Sequence, residues 1–101
     1  MKNLEITVKD IVEIIANGYS IETIRFVIDN STDGILLGVC MDDGKKREIL
    51  LNEDINIEDR REAIIHEFLH AKSFVYGKKY SEREVKTNAK RIYNAIYSKN
   101  R

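Results

Sequence analysis

The chain has 101 residues, 43% apolar and 34% charged, which suits one folded domain with a thin stability margin. Lys plus Arg and Asp plus Glu number 17 each, so a net charge of zero gives no reason to expect nucleic acid or an anionic membrane as a partner. The single cysteine, Cys40, excludes an internal disulfide and suits a reducing cytoplasm. The start, MKNLEITVKDIVEII, lacks the clean apolar run of a signal peptide. No stretch approaches the ~18 apolar residues of a membrane span. The expectation is a soluble, cytoplasmic protein.

Thr7 to Asn17 reads as a helix. Thr7 and Asp10 have capping-box spacing, Gly18 stops the helix, and Ile11, Val12, Ile14 and Ile15 form its buried stripe. The period then changes. Thr23–Asp29 alternates as a strand, Asn30 to Gly34 is a turn, and Ile35–Met41 is a second strand. Asp42-Asp43-Gly44 is a hairpin signal leading into a third strand, Arg47–Leu51. Helical period returns from Ile57 to Tyr76, with Asn56 as cap, Glu58 and Asp59 in the first turn and Gly77 as stop. Ser81 caps a last helix running to about Ser98, whose basic residues read as its solvated side. The order α-β-β-β-α-α predicts an α+β domain. Residues 1–70 would form an upper part holding the sheet, and residues 71–101 a small lower part.

The residues that carry chemistry are His66-Glu67-Phe68-Leu69-His70, an HExxH inside the middle helix. Residues four apart lie one turn apart on the same face, ~6 Å along the axis. Two imidazoles placed so can converge on one Zn²⁺. Glu67 beside them can take a proton from a water that zinc has acidified. These are the only histidines in the chain. The helix is apolar nearly all round, through Ile64, Ile65, Phe68, Leu69, Ala71, Phe74 and Val75, so it should be buried. Two ordinary histidines are the alternative reading, but a buried helix needs partners for two imidazoles and a carboxylate.

A catalytic zinc takes three protein ligands. Downstream of His70 the only acids are Glu82 and Glu84. Glu84 is favoured, because Asn88 four residues later could orient a ligand, whereas Glu82 has Lys86 in that position as an ion-pair partner. Against this, Ser81 and Glu84 also form a capping box, and Glu82 lies nearer the apolar stripe of Val85, Ala89, Ile92, Tyr93 and Ile96. That stripe must be buried against its own active-site helix or against a second chain, which would make a homodimer through the C-terminal helix.

HEFLH, a following helix that supplies a glutamate, and a hairpin just upstream together resemble a gluzincin metallopeptidase. The pattern ILLGVCM, REILL, HEFLH, then Glu84-Val85-Lys86-Thr87-Asn88, is similar to the catalytic domains of membrane peptidases of the HtpX and CaaX-processing type. The small size resembles the minigluzincins of the projannalysin and proabylysin type. The resemblance spans about Ile24 to Ile96. It implies a zinc-dependent peptidase with His66, His70 and Glu84 as zinc ligands, Glu67 as general base and Asn88 behind the ligands, where relatives carry an acid. It also implies that the strand of Ile35, Leu36, Leu37, Gly38 and Val39 forms a rim on which a peptide or protein substrate adds as an extra strand. Minigluzincins are latent, with C-terminal segments over the cleft, so the tail from Ile92 to Arg101 is expected to restrain activity.

A second function class is a non-catalytic, zinc-stabilised module that binds a peptide or partner, and a third is a metal-free helical interaction domain. Glu67 separates the first two, since a structural site has no use for an acid there and fills its fourth position with protein. Beyond the metal, an oxyanion needs a further stabilising group, for which Arg91, Tyr93, Tyr97 and Arg101 are the candidates. Cys40 on the rim is expected to be a buried strand cysteine, with a zinc-blocking thiolate as the alternative.

Overall fold

The computed structural model describes residues 3–25 and 37–97. Helix α1 (Val8–Ala16) starts where Thr7 and Asp10 cap one another. The Asp10 N–H donates to the Thr7 hydroxyl at 3.1 Å, and the Thr7 N–H donates to the Asp10 carboxylate at 2.9 Å. Gly18, at φ 94°, ends it by taking the left-handed conformation that other residues avoid. Ile14 is fully buried, but Val12 and Ile15 are 56% and 54% exposed. The expected stripe is therefore half right. The main element packed against α1 is α2 (Ile57–Val75), and one neighbour covers only a narrow line of a helix surface.

Strand β1 (Ser20–Ile24) begins directly after the helix stop. The expected strand Thr23–Asp29 therefore starts three residues late, and its residues 26–29, the turn at 30–34 and positions 35 and 36 lie outside the described residues. Strands β2 (Gly38–Asp42) and β3 (Arg47–Asn52) form the expected antiparallel hairpin, with Gly38 opposite Leu51 and Asp42 opposite Arg47. Its turn is held by side chains. Asp42 accepts from the Gly44 N–H at 2.9 Å, and Asp43 accepts from Lys45 at 2.9 Å and Lys46 at 2.6 Å. β1 pairs with β3 in parallel, so the sheet is mixed, with order β1-β3-β2.

Helix α2 starts at Asn56, whose side chain accepts from the Asp59 N–H at 2.8 Å, and Gly77 follows it at φ 63°. Helix α3 (Glu82–Tyr97) then returns alongside α2. Two apolar clusters explain why α2 is apolar nearly all round. On one side Ala63, Phe68 and Ala71 pack with Ile14, Tyr19, Ile49 and Leu51 under the sheet. On the other, Ile65 and Leu69 pack with Leu4, Val85, Ala89 and Ile92. Burying each large aliphatic side chain of these clusters contributes about 1.5–3 kcal/mol. The fold is α+β, with an N-terminal helix, a three-stranded sheet and two further helices. Among the described residues no helix is long and apolar enough to cross a membrane.

Candidate metal centre

Four-residue spacing on α2 sets His66 and His70 side by side, with ring centroids 5.0 Å apart and Nε2 atoms 3.2 Å apart. Both are half-buried. The chain reverses between Val75 and Glu82, which brings the start of α3 back to the middle of α2. There Glu82 Oε1 lies 2.8 Å from His66 Nε2, and Oε2 lies 3.0 Å from His70 Nε2. Ligand atoms at ~2.0–2.1 Å from a tetrahedral zinc are separated from one another by ~3.3 Å. The three separations here are on that scale, and two imidazoles with one carboxylate are a zinc donor set, so these residues fit the ion. Burial, opposed by the Glu82 charge, keeps the His66 imidazole below its ordinary pKa. The neutral ring that results is the form that binds metal.

Glu67 is buried at 6% exposure and offers its carboxylate within 4.8 Å of the ligand atoms of both histidines. Burial, and then the Glu82 carboxylate, push its pKa up to about 7. A cation held by the histidines would draw it back down. Gly38 on β2 makes room for it, since a Cβ there would stand 3.2 Å from Glu67 Cγ, from Glu67 Oε2 and from the Leu50 carbonyl oxygen. Cys40, two residues along, has its thiol pushed up to about 12 by burial and then by Glu67 and Asp42. Cys40 is not among the residues whose ligand atoms converge with those of the histidines, so the described residues give a zinc-blocking thiolate no support.

The order expected for the two downstream glutamates is reversed. Glu84, the favoured third ligand, accepts from the Ser81 N–H at 3.1 Å while its own N–H donates to the Ser81 hydroxyl at 3.0 Å. It closes the helix start, and Glu82 faces the histidines. Asn88, expected to orient a ligand, instead receives the Leu4 N–H at 3.1 Å and the Arg91 guanidinium on Oδ1, and its amide donates to the Glu84 carbonyl at 2.8 Å. Lys86, expected to pair with Glu82, lines the pocket instead.

That pocket, about 320 Å³, opens on His66, Glu67 and Glu82, with Leu37 and Gly38 at the sheet edge and Ala63 and Ala89 between the helices. Of the expected rim residues, Ile35 and Leu36 lie outside the described residues, and Leu37 and Gly38 line the pocket. Val39 is half-buried and pairs with Leu50. β2 is an outer strand of the sheet among the described residues. The Asn52 N–H donates to the Leu37 carbonyl at 3.0 Å, so the antiparallel alternation turns the N–H and C=O of Gly38 and Cys40 away from β3.

The tail takes no part in this pocket where it is described. No residue from 92 to 97 lines it, and residues 98–101 lie outside the described residues. Val85, Ala89 and Ile92 are buried against α2, while Ile96 is 53% exposed. Of the oxyanion candidates, Arg91 is committed to Glu5 and the Leu4 carbonyl, and Tyr93 and Tyr97 stack on one another with centroids 4.9 Å apart. Arg101 lies outside the described residues. The sequence matches no family model, and no curated protein and no solved structure matches the chain.

Proposed function

We propose that this chain is a zinc-dependent peptidase of the gluzincin type, in which His66, His70 and Glu82 hold the ion and Glu67 is the general base. The observation that carries this reading is the convergence of two imidazole nitrogens, 3.2 Å apart, and the Glu82 carboxylate, whose two oxygens lie 2.8 and 3.0 Å from them, beside the buried Glu67 in an open pocket. Zinc, when bound, supplies the positive charge that polarises a peptide carbonyl and acidifies a water. Glu67 accepts the proton of the attacking water on its carboxylate and returns it to the departing peptide nitrogen. Its carboxylate is buried and lies within 4.8 Å of the ligand atoms of both histidines, which is the placement that a general base beside the metal needs. The outward N–H and C=O groups of Gly38 and Cys40 align the substrate backbone as an added strand. Lys86 is the cation on the pocket wall among the described residues, and it is the group available to the developing oxyanion.

A structural zinc site would close its fourth position with protein and would not place a free acid beside the ligands. Here three side chains converge and Glu67 stands next to them, which favours catalysis over a purely structural ion. The lone Cys40, held as a thiol, suits a reducing cytoplasm as the compartment.

Metal analysis of the purified chain, with a digest of unfolded casein, tests the reading. About one zinc per chain is expected, lost in His66→Ala and in His70→Ala. Glu67→Gln should keep the zinc and cut hydrolysis ~10²–10⁴-fold. Stoichiometric zinc in the double histidine variant would refute the site.

A further inference from the structure

Glu82 meets the two histidines with a side chain that is 67% exposed, so beyond that contact little packs around it. Its position depends on where α3 lies. The covalent tie from α2 to α3 is the stretch 76–81, which contains Gly77 in the left-handed conformation. The tie that crosses the whole chain comes from the N-terminus. The Leu4 N–H donates to Asn88 Oδ1 at 3.1 Å, and the Leu4 carbonyl accepts from the Arg91 guanidinium, both on α3. Arg91 also pairs with the Glu5 carboxylate at 3.1 Å. The Glu5 carbonyl accepts from Lys72 Nζ, on α2, at 2.7 Å. The Leu4 side chain, 5% exposed, lies in the cluster shared by Ile65 and Leu69 of α2 with Val85, Ala89 and Ile92 of α3.

We propose that the segment Leu4–Glu5 is a positioning strap for the metal centre, bolting α3 to α2 so that Glu82 meets His66 and His70. This rests on the metal-site reading above and adds its control from a distance. Both backbone polar groups of Leu4 are satisfied by α3 side chains, and Asn88 is itself 2% exposed. Undocking the strap would break both hydrogen bonds and take the Leu4 side chain out of the cluster, exposing apolar surface of both helices. A metal held by two residues of α2 and one of α3 closes the same helix pair that the strap closes. Strap docking and zinc binding therefore favour one another, and by thermodynamic linkage the coupling is equal in both directions.

The test uses the full chain with zinc alone. Leu4→Ala should weaken zinc, measured by competition with a chromophoric chelator, by about ten-fold. Ile14→Val, in the cluster under the sheet, should leave zinc affinity unchanged, which controls for general loss of stability. Independently of whether Leu4→Ala folds well, zinc should slow hydrogen exchange at the Leu4 amide in the unsubstituted protein and should not do so in Glu82→Ala. Unchanged zinc affinity in a folded Leu4→Ala variant, or a Leu4 amide indifferent to zinc, overturns the strap while leaving the metal site standing. No zinc bound at His66 and His70 overturns both.

Discussion

Glu82 and Glu84 stand two positions apart in the first turn of α3, and two positions on a helix separate side chains by about 200°. Only one of them can face α2. Ser81 claims Glu84 through the reciprocal cap at 3.0 and 3.1 Å, and Glu82 is left on the side of the histidines. The local rule of a Ser followed by a Glu three residues on thus outranks the longer-range expectation built on Asn88. Glu82→Ala should weaken zinc by well over ten-fold. Glu84→Ala should keep the zinc and cost about 1 kcal/mol of stability through the lost cap. Chelator competition and thermal melts of the two variants separate these outcomes. The opposite ranking would return Glu84 to the metal.

At the scale of elements, β2 and α2 meet where Gly38 passes over Glu67. Part of that approach yields easily, since a carboxylate end can swing, but the Leu50 carbonyl at 3.2 Å is backbone of the neighbouring strand and cannot. A methyl at position 38 therefore asks Glu67 to give by a few tenths of an ångström. Gly38→Ala should leave zinc content intact and lower kcat by up to about 10-fold, as expected for shifting a reacting group by a fraction of an ångström. Normal kcat with normal zinc would show that Glu67 has room to spare. The hairpin around this glycine was legible from Asp42-Asp43-Gly44, and the caps of α1 and α2 from Thr7 and Asn56. The start of β1 was not, because it is fixed by parallel pairing of Ser20 with Glu48 across the sheet, and neither residue carries a local signal for it.

At the scale of the molecule, Asp10 joins α1 to the far end of α2. Its carboxylate accepts from the Thr7 N–H, lies 3.0 Å from Lys72 Nζ and receives the Tyr76 hydroxyl at 3.2 Å. Burial alone would raise its pKa, but the Thr7 hydrogen bonds and the Lys72 ammonium outweigh burial and hold it below 3.8. A folded pKa below the unfolded value means that stabilisation is complete above the unfolded pKa and is lost as the pH falls through the folded one. The melting temperature should therefore drop from about pH 5 to about pH 2. Asp10→Asn should be less stable by about 1–3 kcal/mol at neutral pH and should lose less on acidification. Equal acid sensitivity in the two proteins would show that Asp10 is not a source of it.

By itself the sequence determined what depends on neighbours three or four residues apart. These are the caps of the helices, the hairpin turn, and the pair of histidines brought to one face of α2 with Glu67 between them in the chain. Apolar positions on more than one face of α2 also required that helix to be covered on more than one side. Only the tertiary structure decided which glutamate meets the histidines, that Gly38 clears space for Glu67, that α1 leaves Val12 and Ile15 open to solvent, and that Leu4 is tied to Asn88 and Arg91. The reason is the range of the interactions. A cap or an i, i+4 pair is closed by the backbone geometry of one turn. A contact between residues 84 apart, such as Leu4 with Asn88, has no local geometry to announce it and exists only once the clusters on both sides of α2 have brought the elements together.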